Sequence, residues 1–507
     1  MKSRILTCIT AMTLLAALAL PGQLAAQHTR YKLVVIGTLG GPQSYGDAGH
    51  GAATLTNRGI AAGAADTNTP DPNYPNFNPF AQFGPYPFVY HVFTTTAGSP
   101  LVDLGGLKGN SSVATFITEN GLVSGESLDG SIDPFTGWPA SQAVLWKNGK
   151  IINLGTFGGY ESLGGLVNSR GQVTGIATNA VPDPFSILYF AFTFPQFSNG
   201  TQTRAFLWEE SKGIQDIGTL GGPDAWAIYI NERGQIAGNS YTNSTPNSTT
   251  GVPTMDPFLW ENGKMIDLGT LGGTNGGAGG LNNRGQMVGT SNLAGDLTAH
   301  AFLWDHGRLQ DLGTLGGSFS TANAINATGS IIGSATTAGD QALHAFIWKQ
   351  GVLTDLGTLA NFDGSCIGAF GINVKNQVTG QEVENFCQGP EAHAFLWQNG
   401  EMIDLNVFVP PGSDMTLTEV ERINDRGEIF GIGTRTNGED RAFFLMPCGE
   451  SEEGCIDAAK ATTAARQSQP LVAESPATQV RPAPTMAEWR TRLARRYHIP
   501  GLRTPKD

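Results

Sequence analysis

One stretch of about 35 residues recurs along the chain, and this recurrence limits the possible folds more than any other feature. The clearest copy covers residues 300–334 and reads HAFLWDHGRLQDLGTLGGSFSTANAINATGSIIGS. It contains four short apolar runs, which are separated by a turn ending in Gly307, a Thr-Leu-Gly-Gly loop and a second turn ending in Gly329. The copies follow one another at a spacing of about 44 residues. This period and strand count are typical of a β-propeller blade.

The two ends of the repeat array predict how it closes. The first copy begins at residues 31–36 and lacks the HAFLW strand, whereas a lone HAFLW-like strand, residues 441–445, follows the last copy. We expect these two strands to pair, because ring closure removes the exposed edges of an open array. The sequence therefore predicts an all-β propeller of four-stranded blades. Eight blades is the first choice, and seven is the alternative because the second copy, with its run His91-Val92-Phe93, is degenerate.

The turn motifs predict which connections lie at each end of such an array. Asn-x-x-Gly, as in Asn231 to Gly234, is typical of a type I turn in which Gly takes a positive φ, and Trp-x-x-Gly, as in Trp260 to Gly263, is interpreted in the same way. In an up-and-down meander both tight turns lie on one face. The Thr-Leu-Gly-Gly loops and the variable connections before each HAFLW strand then lie on the other, where function in repeat proteins is usual.

The chain is predicted to consist of four segments. Residues 1–27 are typical of a secretory signal peptide, with Lys2 and Arg4 before an apolar run, so we expect an exported protein that is periplasmic, cell-surface or extracellular. Residues 28–448 are the repeat domain. Residues 449–485 are interpreted as a disordered linker, and residues 486–507 as a basic tail with a short helix, because their composition does not suit a core.

The cysteines favour a structural interpretation. Four remain after the signal peptide, and their proximity in an exported chain predicts the disulfides Cys366–Cys387 and Cys448–Cys455. Their spacing suits zinc poorly.

Charge and hydropathy restrict the partners. The net charge is −13, and the one basic cluster visible in the sequence is the C-terminal tail, so nucleic acid is not expected as a partner. After the signal peptide no stretch is long and apolar enough to predict a transmembrane segment. We expect a monomer.

Three recurring elements, HAFLW, DLGTLGG and INxxGQxxG, appear in fixed order from about Tyr31 to Leu445. Together they resemble the extracellular HAF-repeat family, named for the His-Ala-Phe that stands here at residues 300–302, 344–346 and 393–395. The resemblance implies an exported repeat protein of bacterial type and brings no catalytic residues with it. The turn Asn is replaced by Thr56 and Thr118 in the first two copies, and the turn Gly by Asn376 in the seventh.

Two columns of polar residues were the first candidates for chemistry. An acidic column could bind Ca²⁺ as a ring of carboxylates, but a role in capping the Gly-rich loops is favoured because the residue recurs in nearly every copy; no cofactor is expected. Its members are Asp103, Asp216, Asp267, Asp311, Asp355 and Asp404, with Asn153 in the third copy. The equivalent positions of the second column are His91, Gln142, Arg204, Asp256, His300, His344, His393 and Arg441, which is too mixed a set for a regular metal ring.

Aromatic insertions before the HAFLW strand in the first three copies are the best candidates for a binding site. Flat rings bind apolar sugar faces or anchor protein partners, although these rings could equally pack on one another as a lid. The candidate binding residues are Tyr74, Phe77, Phe80, Tyr86, Phe135, Trp138, Phe185, Tyr189 and Phe190.

The predicted function is a non-catalytic binding module for polysaccharide or an envelope protein. A carbohydrate-active hydrolase or lyase using acids of the same face, and a structural envelope or matrix component, are the alternatives. No HExxH, GxSxG or phosphate-binding glycine loop stands in a suitable context, so catalysis is the minority interpretation.

Overall fold

The computed structural model describes residues 29–45, 54–74, 87–188, 200–248, 250–360, 362–387, 389, 391–449 and 452–459. The described part is all-β and rich in strands, as predicted. The predicted signal peptide, most of the linker and the basic tail lie outside the described residues. Among the residues that are described, no helix has the length and hydropathy needed to cross a bilayer.

The strands form antiparallel groups of four, which we number in chain order, and single parallel pairs, Met255 with Asn275 and Ala299 with Phe319, join three of the groups into one larger sheet. Group 1 consists of β2 (Gly40–Tyr45), β3 (Ile60–Pro70), β4 (Phe88–Thr96) and β5 (Val102–Gly105). Group 2 consists of β6 (Ser112–Ile117), β7 (Val123–Ile132), β8 (Pro139–Lys147) and β9 (Lys150–Asn153). Group 3 consists of β10 (Gly158–Val167), β11 (Val173–Asp183), β12 (Gly200–Glu209) and β13 (Gly213–Asp216). Group 4 consists of β14 (Ala225–Ile230), β15 (Ile236–Pro246), β16 (Pro253–Glu261) and β17 (Lys264–Asp267).

The second half of the chain repeats this arrangement. Group 5 consists of β18 (Gly272–Leu281), β19 (Met287–Leu293), β20 (Ala299–Asp305) and β21 (Arg308–Asp311). Group 6 consists of β22 (Gly316–Ile325), β23 (Ile331–Thr337), β24 (Leu343–Lys349) and β25 (Val352–Asp355). Group 7 consists of β26 (Ile367–Ile372), β27 (Val378–Val383), β28 (Ala392–Gln398) and β29 (Glu401–Asp404). Short helical turns cover Leu107–Gly109, Ala338–Asp340, Glu384–Cys387 and Leu405–Phe408.

The last group joins the two ends of the chain. Group 8 contains β30 (Met415–Ile423), β31 (Ile429–Arg435) and β32 (Asp440–Pro447), and its fourth strand is β1 (Arg30–Val35) from the start of the chain. β1 is antiparallel to β32, with Leu33 opposite Leu445, which confirms the predicted pairing of the terminal strands. The HAFLW strand, which opens the unit seen in the sequence, is therefore the third strand of each group. Each group begins with the third strand of a sequence unit.

The ordered sheet extends beyond the predicted domain boundary at residue 448. A short strand, β33 (Ile456–Asp457), pairs with β1 at Arg30 and Tyr31. A disulfide between Cys448 and Cys455 holds the chain in the return that brings β33 to this edge. The strand β33 lies within residues 449–485, which the sequence assigns to the linker, and it covers the outer edge of group 8.

The hydrophobic core is divided among the spaces between neighbouring groups. On β20, Phe302 packs toward group 4 with Leu259, whereas Ala301 and Leu303 pack toward group 6. This follows from the strand period of two, which sends successive side chains to opposite faces. Group 8 shows the same division: Phe443 packs in the cluster that holds group 7 residues, and Phe444 packs in the cluster that holds group 1 residues.

Hydrogen bonds link the turns between the first two strands of successive groups. The amide of Asn168 donates to the carbonyl of Asn231, and Asn231, Asn282, Asn326 and Asn373 each donate in the same way to the next turn. Asn424 of the last turn donates to the carbonyl of Thr56 in the first, at 3.0 Å.

Other side chains make this link where Thr replaces the turn Asn. Arg58 donates to the carbonyl of Glu119, and Asn120 donates to the carbonyl of Ser169. The eight turns are therefore connected in one cycle of hydrogen bonds. Asn376, which replaces the turn Gly, takes the same left-handed conformation at φ 60°.

Candidate binding face

We call the end of the molecule that carries the connections between the second and third strands of each group the loop face. In groups 1, 2 and 3 these connections start with Asp-Pro. The Oδ1 atoms of Asp71, Asp133 and Asp183 accept hydrogen bonds from the backbone N–H two residues later, at 2.8, 2.9 and 2.8 Å. Each bond forms an Asx turn, so the three inserted loops leave their strands in the same manner. The repeated Asp-Pro dipeptide is a signal that the sequence analysis missed.

Two of the predicted binding residues are exposed on this face. Tyr74 is 54 % exposed and Phe135 is 38 % exposed. The positions of five others, Phe77, Phe80, Tyr86, Tyr189 and Phe190, lie outside the described residues.

Trp138 and Phe185 are placed differently, because both pack against a buried cluster. This cluster contains Ile176, Ile187, Leu188, Trp226, Tyr241 and Met255. The two rings are half-buried and cover the cluster from the side of the loop face. For these two residues the geometry agrees with the alternative that inserted aromatics form a lid.

Tyr160 joins the exposed aromatic surface, although the sequence analysis did not select it. Its ring is 44 % exposed and meets the Phe135 ring edge to face, with centroids 6.2 Å apart. The Gln142 amide donates to the Tyr160 carbonyl at 2.7 Å and holds this part of β10 in place. Thr274 and Ser318 occupy the equivalent position after Gly-Gly in other copies, so the aromatic departure at residue 160 was the available signal.

The two polar columns meet in the structure. The Nδ1 atoms of His91, His300, His344 and His393 lie 3.1, 2.9, 2.8 and 2.7 Å from a carboxylate oxygen of an Asp in the adjacent strand. Arg204 makes the equivalent ion pair with Asp216. The partners of the four histidines are Asp103, Asp311, Asp355 and Asp404.

The same aspartates also cap their own loops, as favoured from the sequence. Oδ1 of Asp311 accepts from the Gly313 N–H at 2.7 Å, and equivalent bonds form at Asp103, Asn153, Asp216, Asp267, Asp355 and Asp404. The capping role is confirmed. Each acid belongs to the fourth strand of a different group.

The His–Asp pairs make stability depend on pH. Burial lowers the pKa of His344 and of His393, but the hydrogen bond and charge of their aspartates outweigh burial, and both pKa values are raised above the usual value. Burial raises the pKa of Asp355, but the hydrogen bonds from His344 and from the Gly357 N–H lower it more. The pKa of Asp355 therefore lies below its usual value. A raised His pKa stabilises the folded state fully below about pH 6.5. That stabilisation is lost as pH rises through the raised value.

We therefore expect the double variant His344→Gln/His393→Gln to lose stability at pH 5.5 and to approach wild type at pH 8.5. Because the pairs are partly exposed, the loss is about 0.5 kcal/mol per pair. Thermal unfolding midpoints measured across this range test the expectation. His306→Gln is the control for an exposed pair: the His306 ring is 77 % exposed and pairs with Asp305 of its own turn, so its loss should change stability little at either pH. An equal loss at pH 5.5 and 8.5 would contradict the role of protonation.

Two of the buried acids with raised pKa values are Glu126 and Asp66, below the loop face. Burial raises the pKa of Glu126 to about 8 and that of Asp66 to about 7. Glu126 is 2 % exposed and Asp66 is 0 % exposed. A polysaccharide chain has no access to carboxylates covered to this extent.

The second predicted disulfide is also present. Cys366 is joined to Cys387, with Cα atoms 5.3 Å apart, and connects the start of β26 to the loop after β27. Both disulfides are therefore the sequence-local pairs.

No family model matches the chain, and no curated protein matches it in sequence. Among solved structures, the chain is similar to the β-propeller domain of the Trilobed protease from Pyrococcus furiosus, with 10 % identity, a TM-score of 0.42, and 73 % of this chain and 96 % of that chain covered. It is also similar to TolB from Acinetobacter baumannii, with 11 % identity, a TM-score of 0.30, and coverage of 77 % and 81 %. An ulvan lyase of a polysaccharide lyase family has 9 % identity, a TM-score of 0.33, and coverage of 86 % and 99 %. These scores are too low to decide the number of blades or any activity.

Proposed function

We propose that the protein is a secreted, non-catalytic binding module built as a closed propeller of eight blades. The eight groups are the blades, and the face that carries the inserted loops binds the ligand. Export rests on the predicted signal peptide, and the repeat family resemblance agrees with it.

Three features support a closed ring of eight. The degenerate second copy contributes β4 and β5 to group 1 and β6 and β7 to group 2, so it is not displaced from the array. Group 8 packs its Phe444 in one cluster with Phe93 of group 1. The hydrogen bond from Asn424 to Thr56 then completes the cycle of turns.

The observation that carries the binding proposal is the exposure of three aromatic rings on the loop face: Tyr74 of group 1 and the contacting pair Phe135 and Tyr160. These rings are 54, 38 and 44 % exposed on the face where three anchored loops stand side by side. Burying an aromatic ring is favourable, and a ring left in water at such a site is available to a sugar face or a partner side chain. We propose a polysaccharide as the ligand ahead of an envelope protein, and the binding requires no cofactor.

A hydrolase or lyase is the weaker candidate. Two of the acids with raised pKa values, Asp66 and Glu126, are covered by protein, and the His–Asp pairs recur from group to group as structural links. A structural envelope component remains distinct from a binding module, because a purely structural role predicts no soluble ligand.

Binding of the chain from Gln27 to an array of glycans tests the proposal. We expect Phe135→Ala/Tyr160→Ala to weaken binding at least about tenfold, since loss of two stacked rings removes roughly 1.4 kcal/mol or more. The thermal unfolding midpoint should change little, because neither ring belongs to a buried cluster and each is more than a third exposed.

Leu297→Ala is the matched control on the same face. Leu297 is 72 % exposed, lies in group 5 and contacts none of the three rings, so its loss should leave glycan binding unchanged. If wild type binds no glycan, or if both variants bind as wild type does, the aromatic surface is not a polysaccharide site. Product released from the bound glycan would instead support the hydrolase or lyase.

A further inference from the structure

A ring of basic residues lies on the end of the molecule opposite the loop face, which we call the turn face. The third position of the turn between the first two strands is basic in six of the eight groups. All six side chains are exposed. They are Arg58, Arg170, Arg233, Arg284, Lys375 and Arg426.

The cycle of hydrogen bonds brings these cations together. Each turn is bonded to the next, so residues far apart in the chain become neighbours; Arg426 and Arg58 are the clearest case, since Asn424 bonds the turn of Thr56. The guanidinium groups of Arg170 and Arg284 lie against Gly234 and Gly329 of the following turns. Glycine at these positions leaves room for the arginine of the neighbouring group.

A second set of cations surrounds this ring. The turns between the third and fourth strands lie on the same face, because Gln235 donates to Glu261 at 3.0 Å and Gln286 donates to Asp305 at 3.1 Å. These outer turns add Lys147, Lys150, Lys212, Lys264, Arg308 and Lys349.

The charge is divided unequally between the two ends. The tight turns of this face hold twelve of the nineteen basic residues of the described chain and nine of its thirty-eight acidic residues, and the terminal return beside them adds Arg30, Lys32, Glu452, Glu453 and Asp457. Among the described residues, Arg170, Arg284 and Lys375 form no ion pair within 4.0 Å, and their guanidinium and ammonium groups remain available. The remaining acids, including those of the inserted loops, lie elsewhere.

The C-terminal tail begins at this same end. The Tyr31 hydroxyl donates to the carbonyl of Gly427 in the turn of group 8, and Ala458 N–H donates to the carbonyl of Thr29. The last described residue therefore lies near the turn face. The sequence that follows, residues 460–507, contains nine basic and three acidic residues.

We propose that the turn face docks on an anionic membrane surface and directs the loop face away from it. A closed ring of cations on a flat end matches a planar array of lipid headgroups, whereas a linear polyanion is usually followed by a groove or stripe. The net charge of −13 does not prevent docking. An 11-residue strand such as β15 separates the two faces by about 35 Å, well beyond the screening length of about 8 Å.

Sedimentation of the chain from Gln27 with lipid vesicles tests the proposal. Vesicles of phosphatidylcholine with about 30 % phosphatidylglycerol should bind the protein, and pure phosphatidylcholine should not. Each basic residue near such a surface changes the partition coefficient about fivefold, so Arg170→Gln/Arg284→Gln/Lys375→Gln should weaken binding on the order of 100-fold. Raising the salt concentration should weaken wild-type binding as well.

The matched control adds the same charge to the loop face. Thr245→Glu/Leu297→Glu/Gln341→Glu changes three exposed residues there and should leave vesicle binding within about threefold of wild type. The proposal fails if both triple variants lose binding equally, since net charge alone would then explain the result. It also fails if wild type ignores anionic vesicles, or prefers a soluble polyanion such as heparin or DNA to them. Glycan binding by the loop face is measured separately, so either proposal can fail without the other.

Discussion

Replacing Gly333 with alanine is expected to destabilise the protein by about 3 kcal/mol, because the added methyl group has no room. Its Cβ would lie 1.9 Å from the Thr321 carbonyl oxygen and 2.9 Å from the Phe346 ring. Both neighbours are fixed, since Thr321 belongs to the paired strand β22 and Phe346 is 0 % exposed in the cluster between groups 5 and 6.

Urea unfolding followed by tryptophan fluorescence measures this loss. Gly37→Ala is the matched control, since no atom lies within 4 Å of an added Cβ there and its φ is not in the left-handed region. We expect the control to stay within about 0.5 kcal/mol of wild type. A loss at Gly333 no larger than at Gly37 would show that the paired strands separate easily, contrary to the packing described above.

Replacing Asn424 with alanine is expected to remove about 3 kcal/mol of stability. The side chain is 4 % exposed and makes four hydrogen bonds. Its Oδ1 accepts from two N–H groups of its own turn, and its Nδ2 donates to the Thr56 carbonyl and to Glu428. Each bond contributes about 1 kcal/mol, and the buried partners lose further free energy when left unpaired.

Asn326→Ala provides the comparison that tests ring closure. Asn326 is 7 % exposed, caps its own turn in the same way and donates to Asn373 of the next group. In a closed ring the junction between groups 8 and 1 is held by the same kind of contacts as every other junction. The two variants should therefore lose similar stability in urea unfolding. A much smaller loss at Asn424 would indicate that the array is open between its ends. Asn283→Ala, which removes one exposed hydrogen bond to Glu232, should cost less than about 1 kcal/mol.

The two proposed faces arise because each repeat places its tight turns at one end of the molecule and its longer loops at the other. Asn-x-Arg-Gly turns and Trp-x-x-Gly turns carry cations to one end, while the Asp-Pro loops carry exposed rings such as Phe135 to the other. A protein docked through its turn face would hold Tyr74, Phe135 and Tyr160 toward the surroundings. Binding to vesicles and to glycans at the same time is the combined result that we expect.

Much of the candidate site could not be predicted from single residues. Phe135 and Trp138 stand three residues apart in one loop, and residue type alone does not show which of the two is buried. Only packing separates them: Trp138 covers the cluster around Trp226, whereas Phe135 extends outward and meets Tyr160. The contact joins two groups, and no local pattern contains both residues.

The sequence by itself determined the architecture. The HAFLW run predicts a strand with two buried faces, the Asn-x-x-Gly and Trp-x-x-Gly pairs predict the tight turns, and the missing strand of the first copy predicts the β1–β32 pairing. These are local properties, since alternation and turn geometry depend on residues within a few positions of one another.

Only the tertiary structure decided which distant residues share a surface. In the sequence the basic residues appear singly, and the C-terminal tail is the one visible cluster; the cations of the turn face become neighbours only in the folded chain. The pairing of His344 with Asp355, and the meeting of Arg58 with Arg426 at the junction of the chain ends, depend likewise on the register and order of strands. Long-range placement of this kind arises because each turn is bonded to the next group, which lies about 50 residues away in the chain or, at the junction, at its other end.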